Sequence, residues 1–267
     1  MREILGRRLQ RLRDRFRSLR SLPIPRRSGG SSAPTSTSAH LEAALTCATT
    51  WRWPVLPGVG RSAADASRCA CPDPDCVVPG AHPFDPGLLA ATTDPRMVAW
   101  WWTNRPTAPV LMATGGTAPC ALSLPAAAAA RALVGLEAQG LRLGPVVATP
   151  TRWSLLVAPY SLERLGELLY AKDHVPSSLR FHGEGGYLLL PPSAASSGGQ
   201  VRWEREPRAR GESRPPAQRR PSAQRMRRSQ RTPQGAGTLW LPEVEAVVDA
   251  LVEASSGAPG GGSRLAY

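Results

Sequence analysis

Twenty-one of the chain's 32 arginines fall in two stretches, residues 1–28 and 202–231, and this segregation limits where a hydrophobic core can form. Each stretch carries a net charge of +8, so of the total of +13 the remaining residues contribute about −3. A chain of 267 residues is long enough for one sizeable core or for a smaller domain with extensions. The near-neutral middle points to the second. The 25 glycines and 28 prolines concentrate in residues 23–39, 191–237 and 256–263, and such segments bury too little apolar surface to offset the entropy lost on ordering. The single lysine is Lys172. Two readings of the arginines stay open: salt-sensitive affinity for DNA or another polyanion, or codon usage with solvated side chains.

Residues 2–22 place Leu5, Leu9, Leu12, Phe16 and Leu19 at alternating four- and three-residue steps with arginines on the other faces, which predicts a basic amphipathic helix. Such a helix suits an anionic membrane surface, a protein partner, a nucleic-acid arm or packing on the chain's own core. Behind it the chain divides into a linker (23–38), a folded domain (39–205), a disordered Arg-rich insertion (206–238), a C-terminal helix packed on the core (239–255) and a disordered tail (256–267).

From His40 the sequence HLEAALTCATTWRW reads as a helix delivering the chain into a buried strand, PVLPGV. Thr93 is the expected cap of a second helix, with Asp94 and Pro95 in its first turn and Met97, Val98, Trp101 and Trp102 on its apolar face. Consecutive residues Trp100–Trp102 cannot all face one ligand, so they are expected in the core, with one available as a stacking platform. APVLMATGG and PCALSL read as strands around Gly115 and Gly116, followed by an alanine-rich helix to Gln139. PVVATP and SLLVAP form a strand pair, Ser161 caps SLERLGELLYA, and RFHGEGGYLLLPP reads as a hairpin turning at Gly183 to Gly186. After Pro242, residues Val244, Val247, Val248 and Leu251 line one side of a last helix. The class is α/β (α+β), a mixed sheet with flanking helices.

Five cysteines, three of them within eight residues, and no apolar leader predict a reducing, cytoplasmic location. No run approaches the roughly 18 uninterrupted apolar residues of a membrane span. Cys69, Cys71, Cys76 and His82 offer four zinc ligands within fourteen residues. Their spacing, C-x-C-x4-C-x5-H, is tighter than a common zinc knuckle. A metal-free structural loop and a redox-sensitive cluster are the alternatives. Cys47 and Cys120 read as small core residues.

Taken in order, the C-x-C…C…G-x-H-P loop, ATTDP with the following WW (Ala91 to Trp102), ATGG (Ala113 to Gly116), ATP (Ala148 to Pro150) and GGY…PPS resemble the N-terminal domain of bacterial and phage primase-polymerases, of the archaeo-eukaryotic primase superfamily. The resemblance covers about residues 40–205. It implies a primase-polymerase fold and template-directed nucleotide addition, in which carboxylates hold two magnesium or manganese ions. The family places an Asp-x-Asp pair at the end of the strand after ATG; here those positions read Ser123-Leu124-Pro125. Its second motif brings a histidine toward the nucleotide phosphates after the T-P step, where this chain has Arg152 and Trp153. Its third contributes an aspartate just before GGY, at Arg180 or its neighbour here.

The resemblance therefore implies a degenerate member with no catalytic residue and a nucleic-acid or nucleotide-binding set of Arg152, Arg180, His182, Gly185 and Gly186. Gly185, Gly186 and Tyr187 are equally suited to a tight turn. The expected function is a nucleic-acid-binding or regulatory module with a structural zinc. The alternatives are an active DNA primase/polymerase, with acids such as Glu163, Glu167 or Glu184 relocated to the site, and an adaptor acting through residues 1–22 on a protein partner or a membrane surface.

Overall fold

The computed structural model describes residues 36–208 and 239–256. The amphipathic helix expected over 1–22, the linker before residue 36, the insertion from residue 209 and the tail from residue 257 lie outside the described residues.

Helix α1 (Ser36–Leu45) runs into a π-turn (Thr46–Thr50) and then strand β1 (Val55–Pro57). A long loop and a 3-10 turn (Leu88–Ala90) lead to α2 (Pro95–Asn104), β2 (Val110–Ala113), β3 (Cys120–Pro125), α3 (Ala126–Ala138), β4 (Val146–Ala148) and β5 (Arg152–Val157). There follow α4 (Leu162–Tyr170), β6 (Arg180–His182), β7 (Tyr187–Leu190), β8 (Arg202–Arg205) and α5 (Val244–Ser256). The cap of α2 is Asp94 rather than Thr93: its carboxylate accepts the Arg96 amide at 2.9 Å, with Pro95 at the first helical position. Thr92 sits outside the helix, its hydroxyl accepting the Asp94 amide at 3.1 Å. Ser161 caps α4 by accepting the Arg164 amide at 3.1 Å.

Two antiparallel sheets result, one ordered β1-β2-β7 and the other β6-β3-β5-β4-β8. The segment around Gly183–Gly186 is not a hairpin. Strand β6 pairs with β3 in the five-stranded sheet, whereas β7 pairs with β2 in the three-stranded one. A local hairpin reading matched two adjacent strands to each other, but each finds its hydrogen bonds on a strand far back in sequence. The same switch occurs between β2 and β3, so the ATGG and GEGG turns cross from sheet to sheet side by side. They touch closely. Thr114 donates its amide to Gly186 O at 3.0 Å and its hydroxyl to Gly183 O at 2.6 Å.

Strand alternation sorts the core into two layers. Cys120, Leu122, Leu124, Leu155 and Val157 face helices α3 and α5, joined there by Leu136, Val247, Val248 and Leu251. Ala121, Leu156 and Val147 face the other way, onto the layer of Val55, Leu56, Leu111, Met112, Leu188 and Leu190 from the three-stranded sheet. Trp101 and Trp102 of α2 are buried in that layer, and Trp102 Nε1 donates to Ala108 O at 2.9 Å. Trp100 is 61% exposed, as period 3.6 requires for three consecutive residues. Cys47 and Cys120 are buried. Among the described residues no helix is long and apolar enough to cross a membrane.

Candidate metal centre and the polar sheet face

The loop after β1 gathers the sulfur and imidazole ligands. Gly60 and Gly80 both have left-handed backbones, with φ of 81° and 79°, and the Gly60 amide donates to Gly80 O at 3.1 Å. Ala70 N donates back to Gly60 O at 3.1 Å and Val59 N to His82 O at 3.0 Å, so the start and end of the loop are tied together. Arg61 braces it from outside by donating to Ser67 O at 2.9 Å and to Ser196 O at 2.8 Å.

Within this frame the ligand atoms of Cys69, Cys71, Cys76 and His82 all lie within 4.8 Å of one another. His82 Nε2 is 3.3 Å from Cys69 Sγ and 3.4 Å from Cys76 Sγ. A tetrahedral zinc with bonds of about 2.3 Å to sulfur and about 2.0 Å to nitrogen places its ligand atoms at about such separations. His82 Nδ1 is 2.8 Å from Pro83 O, a contact that fixes the proton on Nδ1 and turns the Nε2 lone pair toward the thiols, the usual outer support of a metal-bound histidine. The Gly80 amide donates to Cys69 Sγ at 3.1 Å. Burial alone pushes the Cys69 thiol up, but hydrogen bonding with the Cys71 and Gly80 backbones and with the Cys71 and His82 side chains brings it down to about 6. Burial and the adjacent Cys69 push the Cys71 thiol up to about 11. The donor set, its closeness and its hydrogen bonding fit a Cys3His zinc site, whose part would be to staple the loop.

The second constellation lies on the five-stranded sheet. Register places Ser123 opposite Ser154 of β5 and Arg180 of β6, and Ala121 opposite His182. Ser123, Arg152, Ser154, Arg180 and His182 therefore share the face whose apolar part, Ala121 and Leu156, is covered by the smaller sheet. Ser123 is buried, and its Oγ is 3.2 Å from His182 Nε2. Arg152 Nη2 donates to Ser123 O at 2.7 Å, to Ser123 Oγ at 3.2 Å and to Ser178 O at 2.7 Å. Its Nε is withdrawn from solvent with no acceptor. Burial, with the Arg180 charge beside it, brings the Arg152 guanidinium down to about 10. Burial likewise holds His182 below the usual imidazole value; a backbone hydrogen bond with Tyr187 opposes this, and the charges of Arg152 and Arg180 add to it.

Of the five residues expected to meet a nucleotide, three converge here. Gly185 and Gly186 instead form the crossing to β7. The Gly186 amide donates to Gly183 O at 3.1 Å, and a Cβ on Gly186 would come 2.8 Å from Thr114 Oγ1. Of the acids weighed for the site, Glu184 lies in the turn against Gly115, and the others lie on α4. Arg164 binds Glu167 at 2.9 Å and Glu245 at 2.6 Å on an exposed surface, and Glu163 is exposed in the first turn of α4. Among the described residues the only cluster of three or more cysteines, histidines or acids able to hold a metal ion is the Cys3His loop. Sequence reading missed the bracing by Arg61 and the anchoring of Arg152 on Ser178. Neither carried a local signal, because their acceptors are main-chain carbonyls brought near only by the fold.

A mixed α/β domain with two antiparallel sheets, a Cys3His loop and a polar face beside the crossing of two glycine turns is the class this geometry defines. Residues 44–223 match the family model for the bifunctional DNA primase/polymerase N-terminal domain. The chain belongs to that family. Comparison with curated proteins and with solved structures returns no match.

Proposed function

We propose that this protein is a primase/polymerase-type domain that has given up two-metal nucleotidyl transfer and serves as a nucleic-acid-binding or regulatory module. One observation carries the reading. Ser123, aligned by the family resemblance with a metal-holding carboxylate, is bonded to Arg152 and His182, and Arg180 stands opposite it in register. Phosphoryl transfer needs anionic side chains to gather divalent cations around the departing pyrophosphate. Two guanidinium groups repel such cations, and the imidazole beside them is engaged with Ser123. The Arg-rich stretches of residues 1–28 and 202–231 would supply salt-sensitive affinity for the DNA backbone. Five cysteines free of disulfides suit a reducing compartment such as the cytoplasm.

The test is labelled-nucleotide incorporation on a single-stranded template with magnesium and with manganese, alongside DNA binding across a salt series. No incorporation is expected. Affinity should fall steeply with salt, and deletion of residues 207–237 should flatten that slope. Incorporation that disappears on changing a single acid would overturn the reading, as would an affinity indifferent to salt.

A further inference from the structure

We infer that Ser123 is a nucleophile activated by His182, and that the sheet face holding the two cleaves small carboxylic esters through an acyl-serine. The inference goes beyond the proposed function and does not depend on it.

Three relationships carry it. Ser123 Oγ and His182 Nε2 lie 3.2 Å apart, within the reach at which an imidazole takes a hydroxyl proton. The ring is also oriented. Its hydrogen bond with the Tyr187 backbone raises its basicity, so the ring donates there to a carbonyl. A neutral imidazole donates from one nitrogen only, which leaves Nε2 as the acceptor for the serine hydroxyl. Because β6 pairs with β3 and β7 with β2, this base is fixed from both sheets. Finally, a cation stands at the oxygen. Arg152 Nη2 donates to Ser123 Oγ at 3.2 Å and is itself held by Ser123 O and Ser178 O, both at 2.7 Å. A guanidinium so placed steadies negative charge as it forms at the serine and on the ester oxygen.

The serine hydroxyl donates to His182 and accepts from Arg152 at once, an arrangement that polarises its O–H bond. Ser123 is 3% exposed, so only a small acyl group can reach it. Access runs along the edge strand β6, where Arg180 is exposed and His182 partly so. In the first step Oγ bonds to the ester carbonyl carbon as its proton passes to His182 Nε2, and the carbonyl oxygen becomes an oxyanion beside Arg152. The bond to the alcohol oxygen then breaks, and the alcohol leaves with the proton from His182. Water, deprotonated by the same nitrogen, attacks the acyl-serine, releases the acid and restores the hydroxyl. Water is the one co-reactant.

The experiment treats the full-length protein with a fluorophosphonate, which attaches to activated serines with loss of fluoride, and locates the adduct by peptide mass spectrometry. Hydrolysis of p-nitrophenyl acetate is followed alongside. The adduct is expected on Ser123 in the folded protein and should be lost in urea. His182→Gln should form it about 100-fold more slowly or less readily still, and Ser123→Ala should lose both the adduct and most of the hydrolysis. Thermal midpoints of the variants separate lost reactivity from lost fold, and the comparison of the parent with and without urea stands even where a variant fails to fold. A folded parent with no adduct on Ser123 would overturn the inference. So would an adduct formed as fast in urea, a His182→Gln protein that reacts like the parent, or hydrolysis undiminished by Ser123→Ala. None of these results bears on nucleotide incorporation or DNA binding, so the proposed function stands or falls by its own test.

Discussion

Ser123 Oγ and His182 Nε2, 59 residues apart in sequence, lie 3.2 Å from each other across neighbouring strands β3 and β6. Arg152 meets the same serine from β5 on the other side. Ser123 is thereby the hub of a hydrogen-bonded face that also carries Arg180 in register.

His182 should titrate below 6.5 in the folded protein, because burial and the two arginine charges disfavour the imidazolium. The unfolded chain then takes up the proton first on acidification. The contribution to stability is full above 6.5 and is lost as pH falls from 6.5 through the folded value. Following the ring resonances by NMR against pH checks the first statement. Arg152→Gln should move the midpoint back toward 6.5, and a midpoint above 6.5 in the parent would contradict both.

Arg152→Ala removes a donor from three oxygen acceptors that tie β5 to β3 and to the segment before β6. Two main-chain carbonyls lose a charged partner, so the variant should be destabilised by about 2–4 kcal/mol. Urea unfolding measures this directly. A change within about 0.5 kcal/mol would mean that the arginine contributes nothing to holding the sheet.

The purified protein is expected to carry about one zinc per chain. Stripping it with a strong chelator at neutral pH should lower the thermal midpoint by about 5–15 °C, since structural metal binding is folding free energy. Cys76→Ser should lose the metal and show the same drop. Metal analysis of protein prepared without added zinc decides the point, with a metal-free parent of unchanged midpoint as the contrary result.

Gly115 and Gly116 both adopt positive φ, at 87° and 62°, but their surroundings differ. A Cβ on Gly115 would come 2.5 Å from the Glu184 Cα, whereas one on Gly116 would meet nothing within 4 Å. Gly115→Ala should therefore cost about 2–4 kcal/mol, and Gly116→Ala only the left-handed backbone penalty of about 1–2 kcal/mol. Equal midpoints for the two variants in denaturant would show that the two glycine turns do not interlock.

Much of the domain was legible without coordinates, and for local reasons. Ser161 as a cap, the Val244, Val247, Val248 and Leu251 stripe and the four candidate ligands of the Cys69–His82 loop all lie within one turn or one loop, so their spacing reveals them. The cap of α2 was misplaced by one residue because Thr93 and Asp94 are both competent and only the Arg96 amide distinguishes them. The hairpin expected at Gly183–Gly186 failed for a different reason. Strand pairing depends on partners such as Ala113 and Leu122, which no short window contains.

The residues alone determined where the chain can bury a core, since charge and glycine-proline content set which segments repay their ordering entropy, and they determined which side chains could ligate a metal within one loop. Only the tertiary structure decided that Ser123, Arg152, Arg180 and His182 occupy one face. Convergence of groups from β3, β5 and β6 depends on sheet register, and register is set by hydrogen bonds between strands that the sequence keeps far apart.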